Sequence, residues 1–153
     1  MVVRTDGSFT GDQLRSDGFG AIHDLTHFVV EQTLGLDCGF FGLIELGWNI
    51  RDFDNKANTP SIPDEAIVIE CLVGQLTNLV IRGPAVGVED FNWLVAEAVA
   101  GVRPNSVAPQ LSEEIFAELC NRLADLLGQW KALPAGESVE LEFSAVATKN
   151  LAC

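Results

Sequence analysis

The sequence predicts a single, mainly α domain, residues 1–153, in which about five helices pack round a buried central helix, with a small terminal β element. Three observations point there. Apolar positions recur at three- and four-residue spacing over long stretches, and Gly and Pro stand at the ends of those stretches. The 153 residues suffice to bury one core without a disulfide framework or a structural metal. A hydrophobic fraction of 48% with only 20% charged residues is the composition of a globular domain, not of an acidic disordered tail.

Val2 and Val3 open the chain, and the polar, Gly-, Asp- and Ser-rich stretch Thr5 to Gly20 reads as a strand followed by a loop. Ala21 to Leu34 contains neither Pro nor Gly, and Gly35 stands where a left-handed cap ends a helix. Phe40 to Trp48 is a shorter helix, weakened by Gly42 and Gly47, each costing about 1 kcal/mol relative to Ala in a helix interior. Arg51 to Pro63 is a polar loop. Pro63 also opens the next helix, because its missing N–H is harmless in a first turn, and Asp64 and Glu65 favour the positive end of the helix dipole. Asp64 to about Arg82 is apolar almost all the way round, which makes it the central helix. Its Ile67-Val68-Ile69 would suit a strand, but the apolar pattern runs too long for one. Gly83-Pro84 stops it. Glu89 to Ala100 forms a fourth helix and Gly101 to Gln110 a loop, and Ser112 with Glu113 and Glu114 opens a fifth helix to about Leu133. After the turn Pro134-Ala135-Gly136, Glu137 to Ala147 alternates with the two-residue period of a half-buried strand, for which Val2 to Arg4 is the natural partner.

Asp+Glu number 22 against 9 Lys+Arg, a net charge of -13. The cations are scattered singly, so no patch collects phosphates, which argues against nucleic acid and anionic membrane as partners. No segment reaches the ~20 apolar residues of a membrane span, and Met1 to Gly11 carries no signal-like apolar run. Cys38, Cys71, Cys120 and Cys153 form no C-x-x-C pair, and Cys71 and Cys120 sit in apolar helical patterns as small buried hydrophobes. A reducing, cytoplasmic setting is the simplest expectation.

Both histidines lie in one run, His23-Asp24-Leu25-Thr26-His27, with Glu31 one turn further on. On a helix these form a stripe, each four-residue step turning about 40° and rising about 6 Å. Imidazoles at i and i+4 reach one point and make a two-point chelate, which Glu31 or a carboxylate from another helix completes. Asp24 is placed to ligate from the side or to orient an imidazole. The competing reading is of two half-buried histidines with solvated acidic neighbours.

Lone carboxylates inside apolar runs are the places to look for a further ligand, because a buried carboxylate must be paired, protonated or bound to a metal. Glu45, Glu70 and Glu97 qualify. Glu70 stands out on the central helix, sharing a face with Ala66, Val73, Gly74 and Thr77, small or short residues that let a neighbour approach. Its alternative is an ion pair with Arg51 or Arg82. Glu97 reads as a surface residue. The aromatic residues are spaced as core, and no P-loop, G-x-S-x-G or G-x-G-x-x-G is present.

His23-Asp24-Leu25-Thr26-His27 resembles the HDxxH motif of the helical family that assists ubiquinone biosynthesis, where the motif with a downstream Glu is associated with zinc. That family's Glu falls near Gly39 here, between Asp37 and Glu45, so the resemblance extends to His23, Asp24 and His27. The longer run from His23 to Gly47 resembles small uncharacterised bacterial proteins with an HDLxH segment and a Gly-Phe-rich turn; this implies no activity.

The sequence therefore favours a metal-binding helical protein. His23, His27 and Glu31 are the expected ligands, with Glu70 the alternative third, and Asp24 and Glu70 the candidate catalytic carboxylates. Zinc is the first expectation, iron or manganese the second. As an enzyme it would be a hydrolase or lyase acting on a small-molecule substrate, the ion polarising an oxygen or activating water. The rival is a non-catalytic acidic binding protein of immunity or inhibitor type, steered by its charge to a basic protein partner. A third reading is a carrier of apolar ligands built on the small-residue face of the central helix.

Overall fold

The computed structural model describes residues 1–11, 18–54, 62–83 and 86–144. Residues 55–61 of the expected loop, Pro84 and the tail from residue 145, Cys153 included, lie outside them. The described residues are mainly helical with one small antiparallel sheet. Strand β1 (Val2–Val3) pairs with β2 (Phe9–Thr10) in the register Val2 to Thr10 and Val3 to Phe9. Between them Gly7 takes φ +83° and Asp6 Oδ1 accepts the Ser8 N–H, a turn that only glycine enters freely. Among the described residues the partner of β1 is thus β2, and residues 145–147 of the expected tail strand lie outside them. Residues 137–144 form no strand; Val139 and Phe143 are half-buried, while Leu141 between them is exposed. Phe143 stacks on Phe41 at 5.3 Å, and Gln32 Nε2 donates to the Glu142 carbonyl.

Six helices follow among the described residues: α1 (Phe19–Leu34), α2 (Phe40–Glu45), α3 (Ile50–Asp54), α4 (Asp64–Arg82), α5 (Val88–Val102) and α6 (Glu113–Ala132). Helix α1 ends on Gly35 at φ 66°, the left-handed cap expected there, and α4 stops at Gly83, which takes the same conformation at φ 70°. The Ser112 hydroxyl accepts the Ile115 N–H at the start of α6. Helix α3 replaces part of the expected polar loop.

Helix α1 packs against α4 and α6, α5 packs on α4, and α2 leans on α1. The core joins Val29 and Val30 of α1 to Leu72, Val73 and Leu76 of α4, and Val95 and Val99 of α5 to Leu119 and Leu123 of α6. Phe91 and Phe116 close the α5–α6 contact, ring to ring at 4.8 Å. Helix α4 gives the core Ile69, Leu72, Val73 and Leu76, yet the helix buried all round is α1, where Thr26 to Glu31 form an unbroken buried run. The difference arises because α1 is covered on more sides, whereas Glu70, Val80 and Ile81 keep one side of α4 in solvent. That places His27 and Glu31 of the stripe in the core and His23 at its edge.

Buried Arg4 fastens the hairpin to the last turn of α2 and the segment after it, donating to the carbonyls of Ile44 at 2.6 Å and Trp48 at 2.5 Å. Cys71 and Cys120 are free thiols against the core, as their helical positions suggest. Cys38 is disulfide-bonded, which removes the cysteine argument for a reducing compartment. No helix among the described residues is long and apolar enough to cross a membrane.

Candidate metal centre

The α1 stripe faces α4, and Glu70 completes the cluster from there. His23 Nε2 lies 3.1 Å from one Glu70 oxygen and His27 Nε2 lies 2.9 Å from the other. Each of these three residues offers one ligand atom, and the atoms lie within 4.8 Å of one another. The imidazoles meet edge to face at 4.8 Å, Phe19 stacks on His23, and Phe40 lies against His27. Burial is graded across the group. The His27 side chain is 5% exposed, that of His23 21% and that of Glu70 51%, so one edge is sealed in the core and the other reaches solvent.

Glu31, expected as the third ligand, lies on the opposite side of His27. Its Oε1 is 2.9 Å from His27 Nδ1, and the side chain is fully buried. The same carboxylate accepts backbone N–H groups from Phe40 at 2.8 Å, Phe41 at 3.0 Å and Gly42 at 3.5 Å. These are the unpaired donors of the first turn of α2, whose cap residue Gly39 has no side chain to offer them. Glu31 supplies the cap from another helix. It fits only because position 39 is glycine: a Cβ there would stand 2.4 Å from the Glu31 Cδ. Gly42 is equally constrained, since its Cβ would meet the Asp37 carbonyl oxygen at 2.0 Å. Both oxygens of Glu31 are thus committed, and Glu70 takes the place beside the two Nε2 atoms. Of the two carboxylates expected as third ligand, the geometry thus brings Glu70 to the histidine Nε2 atoms and leaves Glu31 on the other side of His27.

Asp24 is half-buried and not a member of the converging group. Burial raises its carboxyl above the ordinary range, while the fields of His27 and His23 pull it back. Of the other carboxylates, Glu45 is exposed and accepts from the backbone N–H and the hydroxyl of Thr5, and Glu97 is exposed as expected.

The arrangement has two electrostatic consequences. Burial opposes a charge on His27, but hydrogen bonds to Glu31 and Glu70 and the charges of both outweigh it and push its pKa up to about 9. For Glu70, burial would raise the pKa, yet hydrogen bonds from His23 and His27 hold it well below the usual carboxylate range. Without a metal, His27 is an imidazolium between two carboxylates. Two imidazole nitrogens, a carboxylate and a further carboxylate on the remote nitrogen of one imidazole also make up the donor set of a histidine–carboxylate metal site.

Compared with protein-family models, with curated proteins and with solved structures, the chain matches none. A separate cleft of about 380 Å³ is lined by Leu34, Leu36, Val68, Ile69 and Leu72 among others, with none of His23, His27 or Glu70 in its wall. The small-residue face of α4 does not form it. Sequence reasoning missed Glu31 as a cap, although the signal was present: Cys38-Gly39-Phe40-Phe41-Gly42 begins a helix with no Ser, Thr, Asp or Asn at its cap.

Proposed function

We propose that this chain is a metal-binding helical protein in which His23 Nε2, His27 Nε2 and the Glu70 carboxylate hold one divalent cation, zinc first, iron or manganese second. The observation that carries the reading is the convergence of the three donors from α1 and α4 within 4.8 Å. The half-exposed outer edge suits a site that exchanges its ion and meets a small-molecule substrate. The chemistry such an ion supplies is polarisation of a substrate oxygen or activation of water, as in hydrolases and lyases, with Asp24 the neighbouring carboxylate for proton transfer. The resemblance of the run from His23 to His27 to the HDxxH zinc motif points the same way. A second reading, an acidic protein that binds a basic partner, draws on the charge of -13.

Elemental analysis of untagged protein, reconstituted with zinc, iron or manganese, tests the proposal beside a His23→Ala/His27→Ala variant checked for fold by circular dichroism. About one ion per chain, lost in the folded variant, is the expected result. Protein that stays metal-free after every reconstitution, and that binds basic proteins with steep salt dependence and no response to chelator, would overturn it in favour of the second reading.

A further inference from the structure

Glu31 is a fully buried carboxylate with four donors on its two oxygens: His27 Nδ1 and the N–H groups of Phe40, Phe41 and Gly42. It reaches the far nitrogen of the imidazole whose near nitrogen faces Glu70 and lies in the group with His23. An imidazole that binds an ion through Nε2 must carry its proton on Nδ1, and an acceptor fixed at Nδ1 selects that tautomer and the ring angle together. The acceptor here is itself immobilised by a helix N-terminus and by the missing side chain of Gly39. We infer that Glu31 is the positioning residue of the metal site, acting through His27, and that it couples occupancy of the site to the start of α2. This rests on the metal site proposed above.

Glu31→Gln separates positioning from bulk. A glutamine oxygen placed toward His27 and Phe40 leaves its NH₂ group against the N–H donors of Phe41 and Gly42. The reverse orientation aims that NH₂ at Nδ1, which then must accept, and so favours the wrong tautomer. Gly39→Ala is the second variant. It keeps both functional side chains and the backbone angles open to alanine, since Gly39 has φ -83°, but drives a methyl group into the carboxylate.

The full chain is titrated with zinc against a chromophoric chelator as wild type, Glu31→Gln and Gly39→Ala, with fold checked in the metal-free state. Imidazole ¹⁵N–¹H spectra follow the His27 Nδ1–H, and hydrogen exchange follows the amides of Phe40, Phe41 and Gly42. Expected are a 10- to 100-fold loss of zinc affinity in each folded variant, loss of the protected Nδ1–H signal in Glu31→Gln, and added protection of the three amides on loading in wild type only. Wild-type zinc binding with unchanged affinity and tautomer in the folded variants would overturn the inference and leave the metal site standing. Absence of zinc binding in wild type would remove the site and the inference with it.

Discussion

Replacing His27 by Gln in the metal-free protein removes a proton that the fold holds far more tightly than the unfolded chain does. In the folded protein that proton sits between Glu31 and Glu70, and the pKa rises from 6.5 to about 9. A raised pKa gives stability that is fully present below pH 6.5 and is lost as the pH climbs through about 9, because unfolding then releases the proton. At about 1.36 kcal/mol per pH unit, that interval is worth roughly 3 kcal/mol, and no correction for solvent screening is needed for a side chain this buried. Glu70 acts in the opposite direction: its lowered pKa makes its contribution present above the ordinary carboxylate range and lost on acidification. Urea unfolding with excess chelator, at pH steps from 6 to 10, reads the slope. Wild type should lose about 3 kcal/mol across the window, and His27→Gln should lose much less, the difference cancelling contributions from the Cys71 and Cys120 thiols, which burial pushes up. Parallel slopes for the two proteins between pH 6.5 and 9 would refute the imidazolium between carboxylates.

Three further outcomes follow from the same structure. Zinc must displace a proton from His27, so its apparent affinity should rise with pH through that window; calorimetric titrations in buffers of different ionisation enthalpy would count the released protons. Thr77 Oγ1 is buried without a hydrogen-bond partner among the described residues. Thr77→Val should therefore stabilise the protein by about 1 kcal/mol in denaturant unfolding, and a loss of stability would mean that the hydroxyl has a partner. Phe91→Ala empties a fully buried position against Phe116 and should cost about 3–5 kcal/mol; a cost below about 1 kcal/mol would contradict the packing of α5 on α6.

Much of the fold was legible because its helix ends carry local chemistry. Pro63-Asp64-Glu65 and Gly83 bracket α4, Ser112 opens α6 and Gly35 closes α1, so the observed limits fall on or near the expected ones. Five residues are too few to show a helical period, which hid α3. Alternation in the tail does not report whether a strand partner is in reach, and β1 pairs with the nearby β2 across a tight turn. The hairpin itself had a local signal, Asp6-Gly7 between apolar residues. At the candidate site, both histidines and Glu70 could be singled out, the first by spacing and the second as a lone carboxylate in an apolar run. The choice between Glu31 and Glu70 could not be made, because both oxygens of Glu31 are claimed by donors nine to eleven residues away across a turn, a tertiary contact without a periodic signature.

The central claim is that two imidazoles from α1 and one carboxylate from α4 bind the same ion. X-ray absorption at the metal edge of the zinc-loaded protein tests it most directly. The account predicts two imidazole nitrogens with Zn–N of about 2.0–2.1 Å, a carboxylate oxygen at about 2.0–2.2 Å, and loss of the bound zinc, its imidazole scattering with it, in the His23→Ala/His27→Ala variant. Zinc bound through oxygen alone, or a spectrum unchanged by the double substitution, would contradict it.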